Sequence, residues 1–227
     1  LVGPGLDFTD KDAGYDFYPL QIIQPFALLD ALARLGLAAP DGAALATFDV
    51  NPRINDHLAA AAAGAAAGAP YRLALPRNTD LPWNDRLAAY WERLGDAVGQ
   101  ATGDIAAPPN AGNVRTRGVA VRPEVVRSIA PRDLNIVLQR LDPLPAGERF
   151  DLIVATDVLV YYDIFEQSLA LANVAAMLRP EGIFVSNTSV VPLPGIPLAQ
   201  AGQARVSYMP VPGQGEVHDV LTWYRRE

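Results

Sequence analysis

Three stretches of this chain hold residue types at spacings suited to chemistry. Leu1-Val2-Gly3-Pro4-Gly5-Leu6-Asp7 reads as the end of a buried strand that turns sharply, because an apolar pair runs into Gly-Pro-Gly. Glycine lacks a Cβ and adopts positive φ freely, so a ligand could approach the backbone of Gly3 and Gly5 closely. Nucleotide-type ligands of open α/β sheets bind at such a strand-to-turn crossing, and a plain surface turn uses the same residues. Residues 44–50 read as a second buried strand, with the acid Asp49 at its end and Asn51-Pro52 opening a helix. An acid in that place bonds ribose hydroxyls, and a turn or helix-cap aspartate is the alternative. The third stretch is the apolar-rich run 150–156, Phe-Asp-Leu-Ile-Val-Ala-Thr, which leads into Asp157, Tyr161 and Tyr162. Catalytic and ordinary loop roles are both open for these three.

Composition narrows the chemistry. The chain of 227 residues has no cysteine, which removes disulfides, thiolate metal sites and cysteine nucleophiles. His57 and His218 are too few for an all-histidine zinc site, and scattered carboxylates give no support for a metal. Lys11 is the one lysine, which removes Walker-type phosphate loops and a Tyr-x-x-x-Lys pair. A net charge of −7 without a basic run argues against nucleic acid as a partner and for a small-molecule substrate. No apolar run reaches a membrane span of about 18 residues. The first residue is not Met and falls where a strand is already under way, so further residues are expected upstream. The expected location is cytoplasmic, with an exported form left open, and the oligomeric state is not legible.

The elements that must position these groups follow from periodicity. Pro25 suits the first turn of a helix with an apolar stripe of Leu28, Leu29, Leu32 and Leu35, stopped by Gly36. The connection before it, residues 8–24, is long enough for a lid or an aromatic-anchored loop. A second helix is expected over 53–63. Residues 69–131 have a looser pattern and read as an insertion covering the sheet or part of a pocket. Within it, 71–75 reads as a strand able to pair with 114–126, and 82–99 as a helix. Trp83, Tyr90 and Trp91 form its small core. Strands are expected at 134–139, 150–156 and 183–186. A helix over 164–178 has Phe165, Leu169, Ala172 and Ala176 at helical spacing. A short helix is expected near 198–202, then a hairpin of 204–210 and 217–224. Strands alternating with helices before a closing hairpin predict a mostly parallel α/β sheet with one antiparallel strand.

Taken together, these motifs resemble the class I S-adenosylmethionine-dependent methyltransferases. Leu-Val-Gly3-Pro-Gly5 looks like the glycine motif of that family, and Thr47-Phe-Asp49 like its second-strand acid. Residues 139–145 followed by Phe150-Asp-Leu-Ile-Val-Ala-Thr-Asp157 resemble the third and fourth strand motifs. Met177-Leu-Arg-Pro-Glu-Gly182-Ile-Phe-Val is similar to the approach to strand five, and the closing hairpin to the reversed seventh strand. The resemblance covers most of the chain outside about 69–131. It implies a Rossmann-like three-layer sandwich in one domain, 1–227, with S-adenosylmethionine as cofactor and a small-molecule acceptor. The implied cofactor contacts are Gly3, Pro4, Gly5, Asp7, Asp49, Val50, Asn51, Arg140, Leu141, Asp142 and Thr156. Asp157, Tyr161 and Tyr162 would face the methyl-transfer site, where a carboxylate or phenol could accept a proton. Leu1, Asp7 and Arg140 depart from the family pattern, which has an acid, a glycine and an acid there. A non-catalytic binding or scaffold protein of the same fold is the alternative. A nicotinamide oxidoreductase lacks an evident proton-donor pair.

Overall fold

Apolar runs bounded by turn residues become strands in this chain, and the Ala- and Leu-rich stretches between them become helices. A computed structural model describes residues 1–7, 20–39, 43–78, 83–105, 115–190, 193–211 and 215–227. Its helices are α1 (Gln24–Arg34), α2 (Pro52–Ala66), α3 (Asp85–Arg93), α4 (Pro123–Arg127) and α5 (Ile164–Met177). Its strands are β1 (Leu45–Asp49), β2 (Tyr71–Asn78), β3 (Gly99–Ile105), β4 (Arg115–Val121) and β5 (Ile129–Asp133). They continue with β6 (Phe150–Ala155), β7 (Leu178–Ser186), β8 (Leu198–Val211) and β9 (Gly215–Arg226).

The main sheet is joined through a single residue. β1 pairs in parallel with β5, and β6 in parallel with β7. Val2 makes parallel bridges to Phe48 of β1 and to Ala155 of β6, so the order reads β5, β1, Val2, β6, β7, β9, β8. Three backbone bonds fix the register: Val2 N to Val154 O at 2.8 Å, Gly3 N to Phe48 O at 2.8 Å, and Phe48 N to Leu1 O at 2.9 Å. β9 runs antiparallel between β7 and β8. On the β6–β7 side, α5 buries Leu171, Val174 and Met177 among Ile153, Phe184 and Tyr224.

Residues 71–121 build a separate antiparallel sheet, β2–β4–β3, and β4 pairs with β2 as the alternation of 114–126 predicts. Polar anchors tie it to α1. The Gln21 amide pairs with both backbone groups of Ala74, at 2.9 and 2.8 Å. Asp30 is fully buried, accepts from Ala97 N at 2.9 Å and pairs with Arg34 at 2.8 Å. Arg117, also buried, donates to the carbonyls of Trp91 and Leu94. Trp91 lies 5.8 Å from Tyr90 and 6.1 Å from Trp83 between ring centroids, and all three are half-buried rather than a closed core. Leu73, Leu75, Val119 and Val121 share one core with Phe26, Leu29 and Leu58 of α1 and α2.

Five expectations fail for physical reasons. The helix expected over 82–99 is confined to Asp85–Arg93, and Gly99 begins β3, which pairs with β4. The third strand is Ile129–Asp133, whereas 134–139 is a turn. The Asn135 side chain accepts from Val137 N, and Asn173 donates to the carbonyls of Ile136 and Val137, so an apolar run can be buried without a ladder. On α5, Phe165 and Leu169 lie on the exposed side, and the buried face is instead Ala170, Leu171, Val174 and Met177. Residues 198–202 are strand, because β9 continues far enough to pair with them. On α1, Phe26 and Asp30 join Leu29 inside while Leu35 is exposed. Over 8–19, the long connection lies outside the described residues, as does the hairpin turn at 212–214. No helix among the described residues is long and apolar enough to cross a membrane.

His57, on α2, is half-buried. Ile22 N donates to the Tyr71 hydroxyl at 2.9 Å, and that hydroxyl also shares a hydrogen bond with His57 Nε2 at 2.7 Å. Burial pulls the imidazole below its ordinary value of 6.5. Below that pH the unfolded chain takes up a proton that the folded chain resists, so stability falls as pH drops through 6.5. Urea titrations on either side of that value are expected to show a smaller loss for His57→Gln than for the parent. Equal losses would remove His57 from the pH dependence.

Candidate functional site

Parallel strands present their C-terminal ends along one edge, and ligands of open α/β sheets lie outside that edge. Here the edge carries the Gly3-Pro4-Gly5 turn in the middle, Asp49 and Asp133 on one side, and Thr156, Asp157 and Asn187 on the other. The turn needs its glycines for two different reasons. Gly3 has φ of +62° and an added Cβ would sit 2.5 Å from Val158 Cγ2. Gly5 has φ of +64° and an added Cβ would meet nothing within 4 Å among the described residues. Pro4 between them is buried.

Asp7 does not extend a glycine loop. Its Oδ2 accepts from Ile23 N at 2.6 Å and its N–H donates to Gln21 O at 2.9 Å, which fastens the turn to the start of α1. Asp49 Oδ1 accepts from Asn51 N at 2.8 Å, the turn bond its alternative reading anticipates. Asn51 in turn caps α2 by accepting from Arg53 N, and Val50 between them is exposed. Burial raises the Asp49 carboxyl above its ordinary pKa, opposed by the N–H groups of Asn51 and Val50. Asp133 is the Cα partner of Asp49, so two carboxylate-bearing residues close this side of the edge.

Asp157 has φ of 57°, a left-handed conformation uncommon for a residue other than glycine. Its N–H donates to Asn187 Oδ1 at 2.8 Å, and Asn187 Nδ2 donates to Asp157 Oδ1 at 2.7 Å. These reciprocal bonds hold the strained backbone. Such strain concentrates where a side chain has to be aimed for function. Beyond Asp157, Leu159–Tyr161 forms one turn of 3-10 helix. Tyr161 is 80% exposed, while Tyr162 is half-buried and its carbonyl accepts from Gln167 Nε2 at 2.9 Å. Asp163 and Glu166 then form a capping box that starts α5.

The structure does not bring Arg140, Leu141 and Asp142 to this edge. Leu141 N donates to the sulfur of Met177, the last residue of α5, so the segment lies near the opposite end of the sheet, where β7 begins. Arg140 and Asp142 pair with each other at 2.9 Å in solvent. The misplaced third strand caused this error, and Asp133 occupies the strand end that the motif was meant to supply. Its signal was the acid closing Ile129-Ala-Pro-Arg-Asp133, parallel to Thr47-Phe-Asp49. Gln24 and Asn187 were also missed. Gln24, in the first turn of α1, reaches Thr156 Oγ1 at 3.5 Å, and its Oε1 is buried with no partner among the described residues. Only its place before Pro25 hinted at a helix start beside the site. Among the described residues, no group of three or more potential ligands could hold a metal.

No family model matches the sequence, and no curated protein matches it. Among solved structures, the N-methyltransferase NodS from Bradyrhizobium japonicum WM9 is similar at 22% identity over 44% of this chain and 60% of that one, with a TM-score of 0.31. Its complex with S-adenosyl-l-homocysteine gives 20% identity over 46% and 62%, also with a TM-score of 0.31. This chain thus spans less than two thirds of either. The rRNA methyltransferase aviRa from Streptomyces viridochromogenes is similar at 12% identity over 87% of this chain and 71% of that one, with a TM-score of 0.37. Likenesses this loose carry no weight for activity, and the site rests on this chain's own geometry.

The two glycines can be separated by experiment. Gly5→Ala is expected to cost about 1–2 kcal/mol, the penalty of a left-handed backbone alone. Gly3→Ala adds the Val158 clash and is expected to cost more. A denaturation cycle with Val158→Ala should recover part of that excess. Strict additivity of Gly3→Ala and Val158→Ala would contradict the packing role of Gly3.

Proposed function

We propose that the protein transfers a methyl group from S-adenosylmethionine to a small-molecule acceptor. The observation that carries the reading is the seating of Val2 between β1 and β6, with the glycine turn emerging between Asp49 and Thr156-Asp157. β9, antiparallel between β7 and β8, supports the Rossmann-like three-layer sandwich that the motifs imply. We read 1–227 as one domain in which 71–121, a part of the expected 69–131, is inserted, because Ile129–Asp133 belongs to the main sheet.

Three features suit the cofactor. Among the described residues, Gly5 leaves space at the turn and Gln24 Oε1 is a buried acceptor without a donor, while Asp49 offers a carboxylate to ribose hydroxyls. S-adenosylmethionine, when bound, supplies an electrophilic methyl group. The chain's task is then chiefly positioning, which can contribute several kcal/mol to lowering the barrier. Pro4, Val50 and Asn51 complete the cradle around the turn and the ribose end, with Asp7 fixing the turn and Thr156 holding Gln24. Asp157 would take the acceptor proton, with Tyr161 and Tyr162 as phenols on the same loop. Asp133 replaces Arg140, Leu141 and Asp142 in this reading. A net charge of −7 favours a small acceptor over a nucleic acid.

One observation favours a non-catalytic binding protein instead. The Asp157 carboxylate already accepts from Asn187, and Tyr161 stands in solvent. Label transfer from methyl-labelled cofactor to any acceptor would exclude that second reading.

Calorimetry with S-adenosylmethionine tests the first reading, and a folded protein that binds none would refute it. Asp49→Ala is expected to weaken binding by about 1–3 kcal/mol, the loss of charged hydrogen bonds. Ribose hydroxyls donate to the ionised carboxylate, so affinity should fall as pH drops through the raised Asp49 pKa, beginning above the usual carboxylate range. Affinity that is flat in pH and insensitive to Asp49→Ala would remove Asp49 from the site.

A further inference from the structure

The end of the main sheet opposite Asp49 and Asp157 carries arginines that are unevenly partnered. β6 and β7 begin there, with Phe150 opposite Leu178, and antiparallel β9 ends there at Arg226. Three of the arginines have acids. Arg140 pairs with Asp142 at 2.9 Å, Arg179 with Asp151 at 2.5 Å and Arg225 with Glu181 at 3.4 Å. Arg149 and Arg226 make no ion pair among the described residues, although Glu148 and Glu227 adjoin them in sequence.

The place of Arg226 has a partial explanation. Its Nη1 donates to the carbonyl of Leu178, the C-cap of α5, where a helix end carries partial negative charge. Arg149 has no such bond. It directly precedes Phe150, so strand pairing sets it beside Leu178 and hence beside the Arg226 guanidinium. Both residues are half-buried, and the Nε of each is buried with no hydrogen-bond partner among the described residues. Burial lowers the Arg226 pKa from its ordinary value, and the Arg149 charge lowers it further. Two half-buried like charges are costly to hold together while the acids around them are engaged by other arginines.

We propose that Arg149 and Arg226 form a site for a divalent oxyanion, the phosphate group of a small molecule. A guanidinium presents a planar fork of N–H donors that matches phosphate oxygens in pairs. Two uncompensated positive charges also suit a dianion better than a single carboxylate. The site is separate from the edge that carries the glycine turn and does not depend on the cofactor reading.

Thermal unfolding of the full chain tests it, in inorganic phosphate against acetate and chloride at matched ionic strength. The pH is held at about 8, where phosphate is divalent. Phosphate is expected to raise the midpoint saturably, by about 3–5 °C at tenfold its Kd, and acetate is not. Phosphate strengthens apolar burial in any protein, so the variants decide the matter. Arg149→Gln removes no hydrogen bond that holds the fold, so it should keep the chloride midpoint and lose the saturable rise. Arg226→Gln should lose the rise as well, from a lower starting midpoint because the bond to Leu178 goes with it. A rise kept in either variant, an equal rise with acetate, or no saturable rise in the parent would each overturn the proposal.

Discussion

The fold depends on a strand reduced to one bridging residue. Val2 lies between β1 and β6, 3% exposed, with backbone bonds from Leu1, Val2 and Gly3 reaching both neighbours. An unpaired backbone group in that position would cost about 1–3 kcal/mol, so both sides must be satisfied at once. The chain must then leave the sheet at Gly3, because Val158 occupies the place a side chain would need. Asp49 ends the strand on one side and Asp157 follows the strand on the other, each held in its turn by a short polar bond. The convergence of turn, acids and loop at one edge is thus a consequence of a single pairing.

The β2–β4–β3 sheet is bound to α1 and the segment before it by buried polar groups as well as by area. Gln21 and Asp30 are buried and bond the backbone of Ala74 and Ala97, while Arg117 ties β4 to the carbonyls of Trp91 and Leu94 beside it. Such groups make specific attachments, since removing one partner leaves the other desolvated and unpaired. Apolar packing of Leu73, Leu75 and Val119 on α1 and α2 gives the adhesion, and these bonds set the register. Asn84, at the start of α3, also donates to the Ser207 carbonyl of β8.

Much of this was legible in the residues. The unbroken run through Val154 and Ala155, the β1 acid Asp49 and the hairpin around β8 and β9 all carry strong local signals. The third strand was not legible, because Ile129–Asp133 is a short edge strand containing a proline and two charges. Proline is tolerated there since only one side is paired. The neighbouring apolar run through Ile136 and Val137 looked like the better strand, and its burial is real. Asn135 and Asn173 satisfy its backbone from side chains, which no periodicity records. On α5 both faces are apolar, so helical spacing could not tell the buried face from the exposed one. Gln24 and Asn187 are identified only by what they reach across the fold, at Thr156 and Asp157.

The central claim is that the edge around Gly5 holds a sulfonium nucleoside. A crystal structure determined in the presence of S-adenosylmethionine tests it most directly. The expected result is ligand beside Gly5, with its ribose hydroxyls on the Asp49 carboxylate and a donor facing Gln24 Oε1. Ligand bound elsewhere on the chain, or a C-terminal edge left empty at saturating cofactor, would contradict it.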